Sequence, residues 1–258
     1  MVIFVINHFI MAKVSGVVQI EGTLMGITFY KRKGVWIARK AGGGFNGKAI
    51  KTKDSMVRVR ENGSEFGRCM KSVQLFKKAL FPLLVLVKDT DRHARIVSLF
   101  TKIKNSDVVS ERGSRSVAVG LQQLSGRELL TNYLLTKGKD LASFFAMGYL
   151  FEWETGIRFY NLDGSHLFFP KGAHFIEIQL MYAKIDFENQ QYEISDCVRE
   201  IIGKDFQGDL QLPKPGFVSE MNGVLVACVS MRYMQEVNNE LHPLLEQQHS
   251  VIQILGVL

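Results

Sequence analysis

The sequence predicts an α+β protein with an N-terminal β-hairpin arm, a short helical middle and a C-terminal antiparallel, immunoglobulin-like β-sandwich. Three observations favour this class. Short alternating stretches punctuated by glycine come first, apolar residues then recur every three or four positions, and after about residue 145 the period falls to two. The predicted regions are 12–54 for the arm and its linker, 55–145 for the helices and 146–258 for the sandwich.

The arm is predicted from residues 14–40, where three short strands fit the alternation. These strands are Val17–Glu21, Met25–Tyr30 and Val35–Arg39. A tight turn joins the last two strands, because Gly34 can adopt the positive φ that such a turn requires. The stretch 41–54 that follows is glycine-rich and basic, which is typical of a linker.

Helices are predicted in the middle region. In the first helix, apolar residues recur at spacings of three and four: Phe66, Met70, Val73, Phe76, Leu80 and Leu84. Pro82 should kink or restart it, because proline lacks a backbone N–H. A second helix over Arg92–Lys104 has one apolar face, formed by Ile96, Leu99, Phe100 and Ile103. Residues 106–126 are predicted as loop with room for no more than a turn of helix, and a third short helix is predicted over Arg127–Leu135.

Strands are predicted in the last region, with polar turns between them. The predicted strands are Gly148–Trp153, Ile157–Leu162, His174–Phe187, Gln191–Ile194, Val224–Glu236 and Val251–Leu258. The stretch Val224–Val229 is apolar at every position, which indicates a central strand covered on both faces. We expect the last strand to return beside it.

The charge is divided between the two halves of the chain. Residues 1–127 hold 23 Lys and Arg against 8 Asp and Glu, whereas residues 128–258 hold 9 against 17. Such asymmetry is typical of proteins that bind nucleic acid, an acidic partner or the oppositely charged half of another copy. The alternative is that the two halves neutralise each other within one molecule.

The most basic segment is residues 31–60, with ten Lys and Arg against one acid, Asp54. We predict that nucleic acid or an acidic partner binds here, through Lys31, Arg32, Lys33, Trp36, Arg39, Lys40, Lys48, Lys51, Lys53, Arg58 and Arg60. Cations that follow phosphates and aromatic rings that stack on bases are the ingredients of single-strand binding. A solvated basic arm that docks on protein explains the same residues, so both interpretations stay open.

Known catalytic and metal-binding patterns are not met. The stretch Gly42–Lys48 has the spacing of a phosphate-binding loop, but Ala49 stands where a Ser or Thr would bind Mg²⁺. Gly42, Gly44 and Gly47 also match a dinucleotide-binding pattern, without the buried parallel strand that the pattern requires. The histidines and cysteines lack metal-ligand spacing, and carboxylate pairs such as Glu152/Glu154 indicate a solvated sheet face. The sequence therefore predicts no enzyme, no cofactor and no metal.

The N-terminus and the cysteines indicate the compartment. Residues 1–11 are almost all apolar, without a preceding cation or a convincing cleavage site, so we interpret them as an upstream extension of a start at Met11, with a targeting segment as the alternative. No stretch reaches the length of a membrane span. Cys69, Cys197 and Cys228 are too far apart for a disulfide framework and are predicted as reduced core residues of a cytoplasmic protein.

Three motifs occur in order along the chain: Gly-Thr-Leu-Met-Gly-Ile-Thr-Phe-Tyr-Lys at 22–31, Arg-Glu-Asn-Gly-Ser-Glu-Phe-Gly at 60–67 and Gln-Glu-Val-Asn at 235–238. In these motifs the chain resembles an uncharacterised protein family widespread in Bacteroidota bacteria, over residues 12–258. The resemblance implies a bacterial source and a start near Met11. That family has no assigned activity, so the resemblance implies no functional residues.

These features predict a non-enzymatic structural or interaction protein. The expected mechanism is self-assembly, in which the basic N-terminal half of one copy docks on the acidic C-terminal half of another. The alternative is nucleic-acid binding by the basic arm Lys31–Arg60. An enzyme of unrecognised type is the remote third hypothesis. The expected partners are thus protein, including the chain itself, or nucleic acid, and no membrane.

Overall fold

The computed structural model describes residues 12–13, 20–41, 47–145, 148–217, 220–244 and 249–258. The chain divides into two compact units, Met1–Val59 and Arg60–Leu258. The predicted extension over residues 1–11, most of the predicted strand Val17–Glu21 and the glycine-rich residues 42–46 lie outside the described residues.

The first unit contains a four-stranded antiparallel sheet. Its strands are β1 (Ala12–Lys13), β2 (Gly22–Leu24), β3 (Ile27–Arg32) and β4 (Val35–Lys40), in the order β1-β4-β3-β2, and a short helix follows, α1 (Gly47–Thr52). The β3–β4 turn is formed by Lys33 and Gly34, whose φ angles are 49° and 81°. Two successive positive φ angles fit the right-handed twist of a hairpin. The predicted hairpin and its turn are therefore confirmed.

The second unit begins with helices. They are α2 (Val57–Ala79, which starts in the first unit), α3 (Phe81–Leu84), α4 (Arg92–Asn105), α5 (Val117–Gln122) and α6 (Leu124–Leu130). Pro82 stands in the first turn of α3, so the predicted restart is confirmed. The predicted loop 106–126 was wrong in part, because it contains α5. The Ser116 side chain caps that helix by accepting a hydrogen bond from Val119 N–H at 3.2 Å.

The rest of the second unit is strands. They are β5 (Leu150–Glu152), β6 (Gly156–Asp163), β7 (Phe175–Asp186), β8 (Gln191–Ile194), β9 (Val198–Gly203), β10 (Gln207–Leu212), β11 (Val224–Val237), β12 (Glu240–Pro243) and β13 (Val251–Val257). All six predicted strands are present. The sequence missed β10 and β12 because these strands are mostly exposed, and it missed β9 because Val198, Ile201 and Ile202 do not alternate with polar residues.

These strands form two antiparallel sheets. In the six-stranded sheet, β7 and β11 pair along their length, β8 and β9 share the other edge of β7, and β12 and β13 share the other edge of β11. The three-stranded sheet has the order β10-β6-β5 and is curled like half a barrel. The prediction that the last strand returns beside Val224–Val229 is confirmed, because β13 pairs with β11.

The second unit has three layers: helices, the six-stranded sheet and the three-stranded sheet. Alternate residues of the central strands enter two different cores. Met181 and Cys228 pack with the helices, whereas Leu180 and Val229 pack with the smaller sheet. This double coverage explains why β7 and β11 are apolar on both faces. The helices before residue 145 and the strands after it therefore belong to the same compact unit, although the sequence predicted a boundary between two regions there.

The mixed α+β class with an N-terminal hairpin is confirmed. Two details of the predicted core were wrong. Phe66 is 53% exposed and Met70 only half-buried, because the apolar stripe of α2 is wider than the core that it covers. Cys197 is exposed, since it lies in the bend between β8 and β9, whereas Cys69 and Cys228 are buried as predicted.

Candidate contact surface on the basic sheet

The basic sheet, formed by β1 to β4, gathers six of the residues that the sequence singled out. They are Lys31 and Arg32 at the end of β3, Lys33 in the turn, and Trp36, Arg39 and Lys40 on β4. The hairpin register places Lys31 opposite Trp36 and Arg32 opposite Val35. Opposite residues of an antiparallel pair project to the same face of the sheet.

Each face of the β3–β4 hairpin therefore combines cations with an aromatic ring and aliphatic side chains. One face carries Ile27, Phe29, Lys31, Trp36 and Lys40, and the other carries Thr28, Tyr30, Arg32, Val35, Ile37 and Arg39. Both faces have this mixed composition because neither β3 nor β4 alternates strictly between apolar and polar residues. The hairpin therefore has two mixed faces and no purely apolar face that would pack in a core.

Two cations lie over aromatic rings of the hairpin. Lys31 Nζ is 5.9 Å from the centroid of the Trp36 ring, and the Arg39 guanidinium carbon is 5.7 Å from the centroid of the Tyr30 ring. Attraction between a cation and the face of an aromatic ring stabilises each pair modestly at an exposed site. These contacts hold charged and aromatic groups side by side on both faces.

No residue of the first unit that the structure describes is buried. Met25, in the β2–β3 turn, is 95% exposed, and Leu24, Ile27 and Val35 are exposed as well. A small sheet without a buried face gains little from the hydrophobic effect. Its apolar side chains are therefore available to a partner.

The cations of the basic sheet are also available. Within the described part of the chain, no carboxylate pairs with Lys31, Arg32, Arg39 or Lys40. The second unit differs, since its acids commonly have partners, as in the Arg158–Asp209 pair at 2.8 Å and the Lys214–Glu154 pair at 3.0 Å. These four cations of the basic sheet are therefore without a carboxylate partner among the described residues.

The other predicted binding residues lie elsewhere along the chain. Lys48 and Lys51 are on α1, and Lys53 follows that helix directly. Arg58 and Arg60 are on α2, where Arg58 is exposed and Arg60 is half-buried and belongs to the second unit. The structure therefore brings Lys31, Arg32, Lys33, Trp36, Arg39 and Lys40 together on one hairpin, divided between its two faces and its turn.

The carboxylates with shifted pKa values serve structural purposes. Burial raises the pKa of Asp107, but hydrogen bonds from the backbone N–H groups of Ser110 and Ser116 outweigh it and hold the pKa below its ordinary value.

Among the described residues, no three His, Cys, Asp or Glu side chains come together as metal ligands. Glu152 and Glu154 do not share a strand face as predicted, because Glu154 lies in the turn after β5.

Sequence reasoning missed a groove along α2 in the second unit. Its volume is about 980 Å³, and it is lined by Gly67, Met70, Lys71, Val73, Gln74, Lys77, Lys78, Phe81, His93 and Tyr192. The signal was present in the sequence, because apolar residues and lysines share that stretch of helix. The apolar members were assigned to the core instead.

No protein-family model, curated protein sequence or solved structure matches the chain. Within the described residues, no helix is long and apolar enough to cross a membrane.

Proposed function

We propose that this chain is a non-enzymatic structural or interaction protein that self-assembles. The basic sheet of one copy docks on an acidic surface of the C-terminal half of another. The observation that carries the proposal is the sheet itself, whose exposed aliphatic side chains stand beside four cations without a described carboxylate partner, namely Lys31, Arg32, Arg39 and Lys40. Apolar burial and charge complementarity together are what a protein–protein contact uses.

Exposed carboxylates that can supply the acidic surface lie along one edge of the six-stranded sheet of the second unit. Glu188 lies in the β7–β8 turn, Glu193 is on β8, Asp196 lies in the bend after it and Glu200 is on β9. All four side chains are exposed, and no described cation pairs with any of them. Because this surface differs from the basic sheet, the contact between copies is head-to-tail, and it yields a ring or a filament.

Nucleic-acid binding by the basic arm is the second candidate, and the cation–aromatic pairs favour it. Lysines and arginines neutralise phosphates, and rings such as Trp36 and Tyr30 stack on bases. The aliphatic side chains of Leu24 and Met25 favour a protein partner instead, because they gain nothing from a phosphate backbone. We therefore place the protein contact first.

Three finer predictions belong to the same proposal. The strand-rich part has the immunoglobulin-like form, which fits its face-to-face antiparallel sheets. The protein works in the cytoplasm of a bacterium of the Bacteroidota, as the motif resemblance and the cysteines imply. No step of this function requires a cofactor.

The proposal is tested by static light scattering of the full chain over a salt series, with and without a single-stranded oligonucleotide. We expect the weight-average mass to exceed the 29.2 kDa of one copy at low salt and to fall as salt screens the contact. A monomer at every salt concentration contradicts self-assembly. If that monomer binds the oligonucleotide with a steep salt dependence, the second candidate replaces the first.

A further inference from the structure

The exposed side of α2 and the first residue of α3 carry a stripe of apolar and polar residues that no described element covers. Gly67, Met70, Gln74, Lys77 and Phe81 follow one another at helical spacings along the groove. Phe81 is 61% exposed, and Phe66 is exposed one turn before Met70. The stripe from position 67 to position 81 is about 21 Å long at the rise of an α-helix, which is roughly four turns.

The rim of this groove is basic. Lys71, Lys77, Lys78 and His93 line it, and its lining includes no Asp or Glu. Within the described residues, none of these three lysines pairs with a carboxylate. An apolar floor between unpaired cations is complementary to an apolar ridge flanked by carboxylates.

We propose that the α2 groove is a docking site for an acidic amphipathic helix of a protein partner. Apolar side chains of that helix contact Met70 and Phe81, while its glutamates and aspartates face the lysines of the rim. Recognition of a helix in a groove uses apolar anchors at the spacings that the stripe of α2 presents. Packing of one helix along another also fits the length of the groove.

Two local features favour a helix over an added strand. The sheet edge at the groove is β8, whose Tyr192 lines it, and this strand is only four residues long, so it offers an added strand few backbone partners. A Cβ atom at Gly67 would meet nothing within 4 Å, so this position leaves room for the close approach of a second helix. The proposal does not depend on the basic sheet, which belongs to the other unit.

The probe is a synthetic helical peptide with leucines at positions i, i+3, i+4 and i+7 flanked by glutamates, and its binding is measured by fluorescence anisotropy. We expect wild-type protein to bind it, and to bind versions with lysine for glutamate or serine for leucine at least about tenfold more weakly. Changing Lys71, Lys77 and Lys78 together to glutamate should weaken binding by a similar factor. The control changes Lys88, Lys102 and Lys139, which are exposed and outside the groove, and should bind like wild type.

A second variant tests the shape of the site. Gly67→Leu fills the open end of the groove, adds a good helix former and should weaken peptide binding while the protein stays folded. Equal binding by the groove variant and its control overturns the proposal, as does no binding of the acidic peptide at about 1 mM. Binding to phosphatidylserine vesicles without binding to the peptide assigns the groove to a lipid surface, and also overturns it.

Discussion

Lys104 on α4 donates a hydrogen bond to the carboxylate of Glu65 on α2, and the two side chains are only 12% and 6% exposed. The other carboxylate oxygen of Glu65 accepts a hydrogen bond from Gly113 N–H at 2.8 Å. Burial raises the pKa of Glu65, but the hydrogen bonds from Lys104 and Gly113 outweigh it, so its pKa lies below the ordinary value. One charged side chain thus joins two helices and the loop after α4.

We expect Glu65→Gln to lower the free energy of unfolding by roughly 3–5 kcal/mol, because it leaves the ammonium group of Lys104 buried without an opposite charge. The measurement is urea denaturation followed by circular dichroism. The control is Glu61→Gln, one turn earlier on α2, whose partner Arg112 is 51% exposed at 3.2 Å. That change should cost under about 1 kcal/mol. Equal losses for the two variants contradict this account of the buried pair.

The lowered pKa values of Glu65 and Asp107 predict how stability depends on pH. Each carboxylate has a lower pKa in the folded state than in the unfolded state. Their contribution to the free energy of unfolding is therefore complete above the pKa values of the unfolded state, near about pH 4. It is lost as pH falls through the lower pKa values of the folded state. We expect unfolding free energy to fall below about pH 4. Asp107→Asn should be less stable at pH 7 and show a shallower fall, and an unchanged slope would argue against the assignment.

Two glycines should respond to alanine in opposite directions. A Cβ at Gly120 on α5 would lie 2.2 Å from the carbonyl oxygen of Ile103 on α4, so Gly120→Ala must push two helices apart. We expect it to destabilise the protein by about 1–3 kcal/mol. A Cβ at Gly63 on α2 would meet nothing within 4 Å, and Gly63→Ala should stabilise the protein by about 0.5–1 kcal/mol. Thermal denaturation of both variants measures these shifts, and the same sign for both would refute the packing argument.

Trp36 can report directly on the basic sheet, because Trp153 is the only other tryptophan of the chain. In Trp153→Phe, we expect the emission of Trp36 to move to shorter wavelength at low salt, where docking would exclude water from its ring, and to return at high salt. The control is Trp36→Phe, which leaves Trp153 packed against Phe151 and Tyr182. The emission of Trp153 in this control should not change with salt. If only the emission of Trp153 changed with salt, the contact between copies would lie near Trp153 and not on the basic sheet.

The elements with strong periodicity could be predicted from the sequence. The face of α4 and the strands β7, β11 and β13 were found because burial imposes a regular apolar pattern on them. The strands β9, β10 and β12 could not be found, since only a few of their residues, such as Ile202, Leu210 and Leu212, are buried and these do not form a regular apolar alternation.

The candidate surface was predictable only where a local sequence pattern determines it. Local spacing and turn chemistry fix the β3–β4 hairpin, and with it the face that joins Lys31 and Trp36 and the opposite face that carries Arg39. The α2 groove was not predictable, because a single sequence does not show where the core ends and an open stripe begins. Phe66 and Phe76 occupy similar places in the pattern, yet only Phe76 is buried.

The central claim is that the basic sheet is the surface through which copies of this chain assemble. Light scattering at low salt should compare wild type with a variant that changes Lys31, Arg32, Arg39 and Lys40 together to alanine. A control changes Lys88, Lys102, Lys139 and Lys171, which removes the same number of charges from other exposed positions. We expect wild type and the control to assemble, and the basic-sheet variant to keep the 29.2 kDa mass of one copy. Assembly of the basic-sheet variant to the same extent as wild type would contradict the account.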